Sequence, residues 1–289
     1  MSMLNLLNME ASRLWRQRSS YLIIISMLVI LMIYSFMLDY SFRDLQESMQ
    51  MGGQQEQVQD EEEPQADDMT LNFTVSPELL EASGEEVFLE QISGRGYLVF
   101  LIIFSALFFT APYTHGYIKN FIGLQRRRSH FVLATFLAAS IFCCLLFLFG
   151  SLIQVLMQNV WMSDTFKIIQ WKHLLPLLGT QFLLHLATLA VSLFLATWLE
   201  NTGPVMAINL LWSLIFYRPI LDLIQTVLVQ TLRLPEDFSL YSYSLAGSIS
   251  LTSWGASGAI MRQSLIVALL YLVLALVASS WLLQKKDIR

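Results

Sequence analysis

From residue 131 to residue 158 the chain reads FVLATFLAASIFCCLLFLFGSLIQVLMQ, a run of 28 residues without a charged side chain. A helix rises 1.5 Å per residue, so roughly 20 residues cross the hydrocarbon core of a bilayer, which is about 30 Å thick. Because lipid offers no partners to backbone N–H and C=O groups, a run of this kind is expected to be helical. The stretch therefore predicts a transmembrane helix.

Five other stretches have the same character, and only the one at 205–229 contains charged residues. The whole composition agrees: 55% of the 289 residues are apolar and 13% are charged, against about 25% charged in an ordinary globular domain. Mean hydropathy is +0.57. We predict an all-α integral membrane protein whose six transmembrane helices lie at 21–38, 97–113, 131–158, 174–198, 205–229 and 264–283.

The orientation follows from the basic residues, because Lys and Arg near the ends of spans stay in the cytosol. Ten of the seventeen flank the spans on one side: Arg13, Arg16, Arg18, Lys119, Arg126, Arg127, Arg128, Lys285, Lys286 and Arg289. An even number of spans places both termini on that side. We expect a multi-pass protein of a bacterial plasma membrane with cytosolic termini. The first span is expected to be a retained anchor, since no A-x-A-like cleavage site follows it.

Five segments flank the spans: a cytosolic amphipathic interfacial helix (1–20), an extracytoplasmic insertion (39–96), a cytosolic loop (114–130), an extracytoplasmic or re-entrant segment (230–263) and a cytosolic tail (284–289). The insertion has fifteen acids and two bases. Its residues 46–68 predict loose structure, and residues 69–91 are apolar enough for a small folded cap. The acids either attract cationic ligands or only keep the segment hydrated.

The sequence offers no catalytic machinery of a familiar kind. It contains no G-x-x-x-x-G-K-[ST] phosphate loop and no H-E-x-x-H pair, and its four histidines are scattered. We therefore predict that the chain is not an enzyme and binds neither a metal nor nucleic acid. His185 lies mid-span, either as a neutral imidazole bonded to a neighbouring helix or in a functional role.

Two further sets of residues are candidates for function. Aromatic side chains recur at helical spacing at Phe104 and Phe108 in one span and at Trp212 and Phe216 in another, where they either pack or line a path for an apolar substrate. Four residues apart, Arg218 and Asp222 share a helix face, where they form either a structural ion pair or a functional one.

Three segments have a familiar arrangement: the amphipathic residues 4–15 leading into Arg16-Gln17-Arg18, the loop sequence GYIKNFIG at 116–123 with Arg126–Arg128 behind it, and the terminal QKKDIR at 284–289. Together they resemble the membrane-spanning (permease) subunit of a type 2 ATP-binding-cassette (ABC) transporter. The resemblance implies an exporter that works by alternating access. From the aromatic stripes and the lack of buried ionic sites we expect an amphipathic or cationic peptide, or a lipid-like molecule, as substrate.

The resemblance also implies the partners. A short coupling helix would dock into a cytosolic ABC ATPase through Tyr117, Lys119, Asn120, Phe121, Ile122 and Gly123. Two ATPase copies, which hold ATP and Mg, and a second permease copy, identical or paralogous, are implied, all within membrane lipid. A different reading is a non-transport sensor or assembly subunit whose acidic ectodomain binds a cationic partner. A secondary transporter is disfavoured because the spans contain almost no carboxylates.

Overall fold

The computed structural model describes residues 3–52, 82–93, 96–118, 128–162, 166–215, 217–232 and 239–286, and these residues form helices and connections without a strand. The α-helices are α1 (Met3–Arg16), α2 (Arg18–Gly52), α3 (Gly84–Ser93), α4 (Gly96–Thr114), α5 (Ser129–Leu156), α6 (Trp171–Leu199), α7 (Thr202–Leu210), α8 (Tyr217–Leu232), α9 (Leu245–Leu251) and α10 (Gly258–Lys285). Met157–Trp161 and Leu211–Ile215 are π-helical, and Leu240–Tyr243 is a 3₁₀ turn.

Within the described part of the chain, five helical segments are long and apolar enough to cross a bilayer: Arg18–Asp44, Gly84–Thr114, Ser129–Trp161, Trp171–Leu199 and Gly258–Lys285. They contain five of the six predicted spans. The predicted span at 205–229 is instead divided into α7, a π-helical turn and α8. Pro219 contributes to this division, because it has no N–H to offer the carbonyl four residues before it.

α6 is the central helix, and it packs along α10 and against α4, α5 and α7. Near its start, the Gln181 amide donates to the carbonyls of Ile249 (2.7 Å) and Thr252 (2.8 Å), just before α10 begins. Near its end, the Lys286 ammonium donates to the Thr197 carbonyl at 3.0 Å, just after α10 ends. α6 and α10 therefore run parallel, with their C-terminal ends at the same end of the bundle.

α2 continues well beyond the predicted span and reaches Gly52. Residues 46–52 are therefore helical, which corrects the prediction that loose structure begins at residue 46. The residues after the span are mostly good helix formers, and Arg43 pairs with Asp39 one turn earlier at 2.8 Å. The glycine pair at 52–53 ends this favourable run. The other residues of the predicted loose segment and most of the predicted cap, up to residue 81, lie outside the described residues.

The end of the acidic insertion belongs to the bundle core. Phe88, Leu89 and Ile92 of α3 have no exposed surface. The Gln154 amide donates to the Phe88 carbonyl at 2.9 Å, and its oxygen accepts from the Tyr97 hydroxyl at 3.1 Å. Gln154 of α5 is thus hydrogen-bonded to both α3 and α4, and the end of the insertion is attached to the bundle.

The described part of 230–263 contains the 3₁₀ turn, α9 and the first turns of α10. Ser244 caps α9 by accepting from the Gly247 amide at 3.0 Å, and Ser257 caps α10 by accepting from the Ile260 amide at 3.3 Å. α10 therefore begins at Gly258, six residues before the predicted span, because the N-cap Ser257 starts the helix there.

Candidate functional site

Three cations gather at one end of the bundle, here called the basic end and defined by Arg13, Arg128 and Lys286. Each of them donates hydrogen bonds to backbone carbonyls near the C-terminal end of a membrane-spanning helix. The last carbonyls of a helix have no partners within it, and the helix dipole places negative potential there. The basic end is therefore built from cationic side chains that cap helix ends on other elements.

Arg13 of α1 binds a carbonyl that α4 itself cannot use. Phe108 would normally accept from the amide of residue 112, but Pro112 has no N–H. The Arg13 guanidinium donates to this free carbonyl at 2.9 Å and lies 4.0 Å from the centroid of the Phe108 ring. One side chain thus compensates for a proline and attaches α1 to α4.

The same guanidinium contacts Glu10 and Tyr117. It lies 3.0 Å from the Glu10 carboxylate, which is fully buried, and donates to the Tyr117 hydroxyl. Burial raises the pKa of Glu10, and the positive charge of Arg13 offsets part of that rise. Burial also raises the pKa of Tyr117. Arg13 therefore contacts Tyr117, which lies two residues before the loop at 119–127.

Lys286 joins α10 to the end of α6. Its ammonium donates to the carbonyls of Thr197 (3.0 Å) and Trp198 (3.2 Å) and lies 2.8 Å from the Glu200 carboxylate, so its three protons have three acceptors. Glu200 ends α6 in the left-handed conformation (φ 55°), which is unfavourable for a residue other than glycine. The pair with Lys286 explains why a glutamate stands there.

Arg128, which immediately precedes α5, completes the set. It donates to the carbonyls of Leu283 (3.1 Å) and Lys286 (2.7 Å) at the end of α10. On the other side of the basic end, the hydroxyls of Thr110 and Thr202 are 2.6 Å apart and join α4 to α7. The ends of six helices (α1, α4, α5, α6, α7 and α10) are thereby connected around the two ends of the 119–127 loop.

Of the predicted coupling residues, the structure describes Tyr117, which is half-buried against Arg13. Ile118 beside it is buried. Lys119, Asn120, Phe121, Ile122 and Gly123 lie outside the described residues. The coupling helix therefore stays a prediction, and what the structure adds is a fixed attachment at residue 117.

The candidate pathway residues occupy different surroundings. Phe104 and Phe108 are fully buried and stack on each other at 5.2 Å, and Phe104 also stacks on Phe142 at 3.6 Å. Trp212 lies in a π-helical turn with 43% of its surface exposed. Phe216 lies outside the described residues. The two phenylalanines are thus core residues in this conformation, without accessible surface that a substrate could touch.

Two other candidates are only partly described. Arg218 and Asp222 are one turn apart on α8; Asp222 is exposed, and the Arg218 side chain is not among those described. His185 is fully buried, with Nδ1 2.8 Å from the Gln181 carbonyl and its ring edge-on to Phe147 at 4.8 Å. The hydrogen bond of His185 thus lies within α6 and not to a neighbouring helix, which corrects that part of the structural prediction.

Arg13, Arg128 and Lys286 served in the sequence analysis to assign orientation, and Arg128 and Lys286 also supported the resemblance, but none of them was identified as a cap. For Arg13 the available signal was Pro112, which leaves a carbonyl on the preceding turn without a partner. For Lys286 and Arg128 the signal was their position beside helix ends. The backbone carbonyls to which these cations donate lie 88 to 158 residues away in sequence, so the pairing needed the fold.

Residues 68–289 match the family described as protein of unknown function (DUF2705), and the chain belongs to this family. No curated protein matches the sequence. The family region begins within the acidic insertion and includes α3–α10, and therefore Arg128, Lys286 and the 119–127 loop. Arg13 and the rest of α1 and α2 precede it.

Proposed function

We propose that this DUF2705 protein is the permease subunit of an ATP-driven ABC exporter, with residues 117–123 as the helix that docks on the ATPase. The observation that carries the proposal is the basic end, where six helix ends are joined around the loop that contains this segment. A force on the loop would reach α1 and α4 through Arg13, and α5 and α10 through Arg128. Such a construction suits rigid-body movement of packed helices between two states.

The proposed topology has six crossings, with α7 and α8 forming the fifth. Support comes from the parallel arrangement of α6 and α10. A chain that leaves α6 at the basic end and enters α10 at the opposite end has to return across the bundle between residues 200 and 258. Under this topology the basic end faces the cytosol, in agreement with the distribution of Lys and Arg.

The proposed cargo is an amphipathic or cationic peptide, or a lipid-like molecule. An open groove of about 910 Å³ along the outer half of α10 supports an amphipathic or lipid-like cargo, because it combines apolar residues such as Ile266 and Leu270 with the polar Tyr243 and Gln263 and the cationic Arg262. An apolar groove with a few polar groups is typical of a site for such molecules. A second permease copy beside α10 would enclose the groove and turn it into a pathway.

The decisive experiment is co-expression with a cytosolic ABC ATPase encoded beside this chain. We expect a detergent-stable complex whose ATP hydrolysis depends on the permease. Phe121→Asp and Ile122→Asp should each abolish association with the ATPase, because each places a charge in the apolar pair that is proposed to enter the ATPase groove. Membrane insertion, measured as the yield of monodisperse protein, should stay unchanged.

Gln125→Asp is the matched control, since it adds the same charge to the same loop without removing an apolar side chain. It should leave the complex intact. Normal recovery of the complex from both Phe121→Asp and Ile122→Asp would contradict the docking assignment. If no ATPase forms a complex with the wild-type chain, the permease proposal itself is wrong.

The second candidate is a membrane sensor or assembly subunit that binds a cationic partner through the acidic insertion. Its specific support is the way α3 joins the end of the insertion to the bundle. Oε1 of Glu85 accepts from the Ile169 amide at 2.7 Å, and Gln158 donates to the Gly84 carbonyl at 3.3 Å. Binding of a partner to the insertion would then displace α5 and α6 without any ATPase. The co-expression experiment distinguishes this candidate from the permease, because it expects no complex with an ABC ATPase.

A further inference from the structure

We propose that a groove between α5 and α10 at the basic end is a binding site for one anionic phospholipid. The acyl chain lies on the apolar floor of the groove, and the phosphate lies at its polar mouth. This site is separate from the proposed coupling loop and from the groove on the outer half of α10, and it does not depend on the transport proposal.

The groove has a volume of about 400 Å³ and changes character along its length. Its floor consists of Leu133 of α5 with Leu276 and Val277 of α10. Leu133 and Val277 are 38% and 61% exposed, so this surface is open to the lipid phase. An open apolar surface along two membrane-spanning helices can hold part of one hydrocarbon chain.

The mouth of the groove is polar. Ser129 and His130 of α5 line it on one side, and Ser280 and Gln284 of α10 line it on the other. Among the lining residues that the structure describes there is no Asp or Glu. Hydroxyl, imidazole and amide groups can all donate hydrogen bonds to phosphate oxygens.

Two cations lie next to residues that line this mouth. The Lys285 ammonium lies 4.1 Å from the centroid of the Trp281 ring, which itself lines the groove and is 56% exposed. Arg128 adjoins Ser129 and is held in place by the carbonyls of α10. A tryptophan with a cation beside it is typical of the membrane–water interface, and basic residues there attract anionic lipids.

The geometry therefore favours an anionic phospholipid over the other occupants of such a groove. A zwitterionic lipid would fill the floor equally well, but the cation in its headgroup would offset much of the attraction between its phosphate and the basic residues. A free phosphate would use the mouth but leave the floor empty. A lipid in this place contacts the ends of α5 and α10, the two helices that Arg128 joins, so its binding should stabilise their association.

The test is the thermal unfolding of the purified full chain in detergent micelles doped with phosphatidylglycerol, with phosphatidylcholine of the same acyl chains, or with inorganic phosphate alone. We expect phosphatidylglycerol to raise Tm more than phosphatidylcholine does, and phosphate alone to have no effect. Lys285→Gln, which removes charge at the mouth, should lose most of the extra shift. Ser280→Phe, which fills the groove between Leu276 and Gln284, should lose the shift from both lipids.

Two controls match these variants. Arg16→Gln removes an exposed cation from α1, outside the groove, and Leu269→Phe enlarges an exposed apolar residue elsewhere on α10. Both should keep the full preference for phosphatidylglycerol. Equal shifts from the two lipids, a shift produced by phosphate alone, or a preference that survives in Lys285→Gln would overturn the proposal. Because Lys285 is exposed, Lys285→Gln should fold normally and therefore tests the proposal even if Ser280→Phe fails to fold.

Discussion

The Phe108 carbonyl accepts its hydrogen bond from a residue of another helix. Pro112, in the last turn of α4, has no N–H to donate to this carbonyl, and the Arg13 guanidinium of α1 donates to it instead. An unsatisfied carbonyl in an apolar surrounding costs free energy comparable to a lost hydrogen bond. Arg13 and Pro112 should therefore be energetically coupled although they are 99 residues apart in sequence.

A double-mutant cycle tests this coupling. Glu10→Gln is used as the background, so that loss of Arg13 does not leave a buried carboxylate unpaired. There, Arg13→Met should lower the free energy of unfolding by about 1.5–3 kcal/mol, the value of a hydrogen bond to a charged group. With Pro112→Ala added, residue 112 can donate to Phe108, and the cost of Arg13→Met should fall by about 1 kcal/mol or more. Denaturant unfolding in detergent measures all four variants, and costs that simply add would refute the coupling.

At the scale of elements, the parallel pair α6 and α10 constrains the rest of the chain. Five of the predicted spans fall within helical segments long and apolar enough to cross a bilayer, and they could be predicted because a bilayer requires long apolar runs and few other arrangements allow them. The division of 205–229 was less predictable. The run is apolar enough to be counted as one span, and only the backbone shows that a π-helical turn at Leu211–Ile215 separates α7 from α8.

The six-crossing topology predicts opposite sides for the two ends of this region. In a Cys143→Ser, Cys144→Ser background, Gly203→Cys at the start of α7 should react with a membrane-impermeant thiol reagent only after permeabilisation. Ala259→Cys at the start of α10 should react in intact cells. Both positions are exposed, and a side chain at Gly203 meets no atom closer than 3.7 Å. Labelling of both cysteines from the same side would show that residues 202–257 do not cross the membrane.

The candidate site was predictable only in part, for a reason that Lys286 illustrates. Its positive charge next to an apolar run indicates a cytosolic position, and this can be read from sequence alone. Its acceptors, Thr197, Trp198 and Glu200, become available only because α6 and α10 end side by side. Likewise, the charge of Glu10 predicts a polar helix face, whereas the structure buries it together with Leu6 and Leu14 because Arg13 pairs with it.

At the scale of the whole molecule, the two signs of charge are separated along the chain. Fifteen of the 22 acids fall within residues 39–96, whereas ten of the seventeen bases flank the predicted cytosolic ends of the spans. Under the proposed topology, the net charge of −5 conceals a strong asymmetry between the two membrane faces. A field of this kind would raise the local concentration of cations on the side of the insertion, and salt would limit its reach to about 8 Å at physiological ionic strength.

The acidic insertion provides the test of whether this asymmetry serves the proposed export of cationic molecules. Residues 54–68 contain seven of its fifteen acids and precede α3. One variant deletes them, and a second keeps the length but changes each Asp to Asn and each Glu to Gln. If the field acts on the cargo, a cationic peptide should stimulate ATP hydrolysis by the complex less in both variants than in the wild type, and high salt should remove the difference. A lower stimulation in the deletion variant alone would show that the length of the segment matters and its charge does not. Equal stimulation of all three proteins at low salt would show that the acids only keep the segment hydrated, since dense like charge by itself keeps a chain solvated.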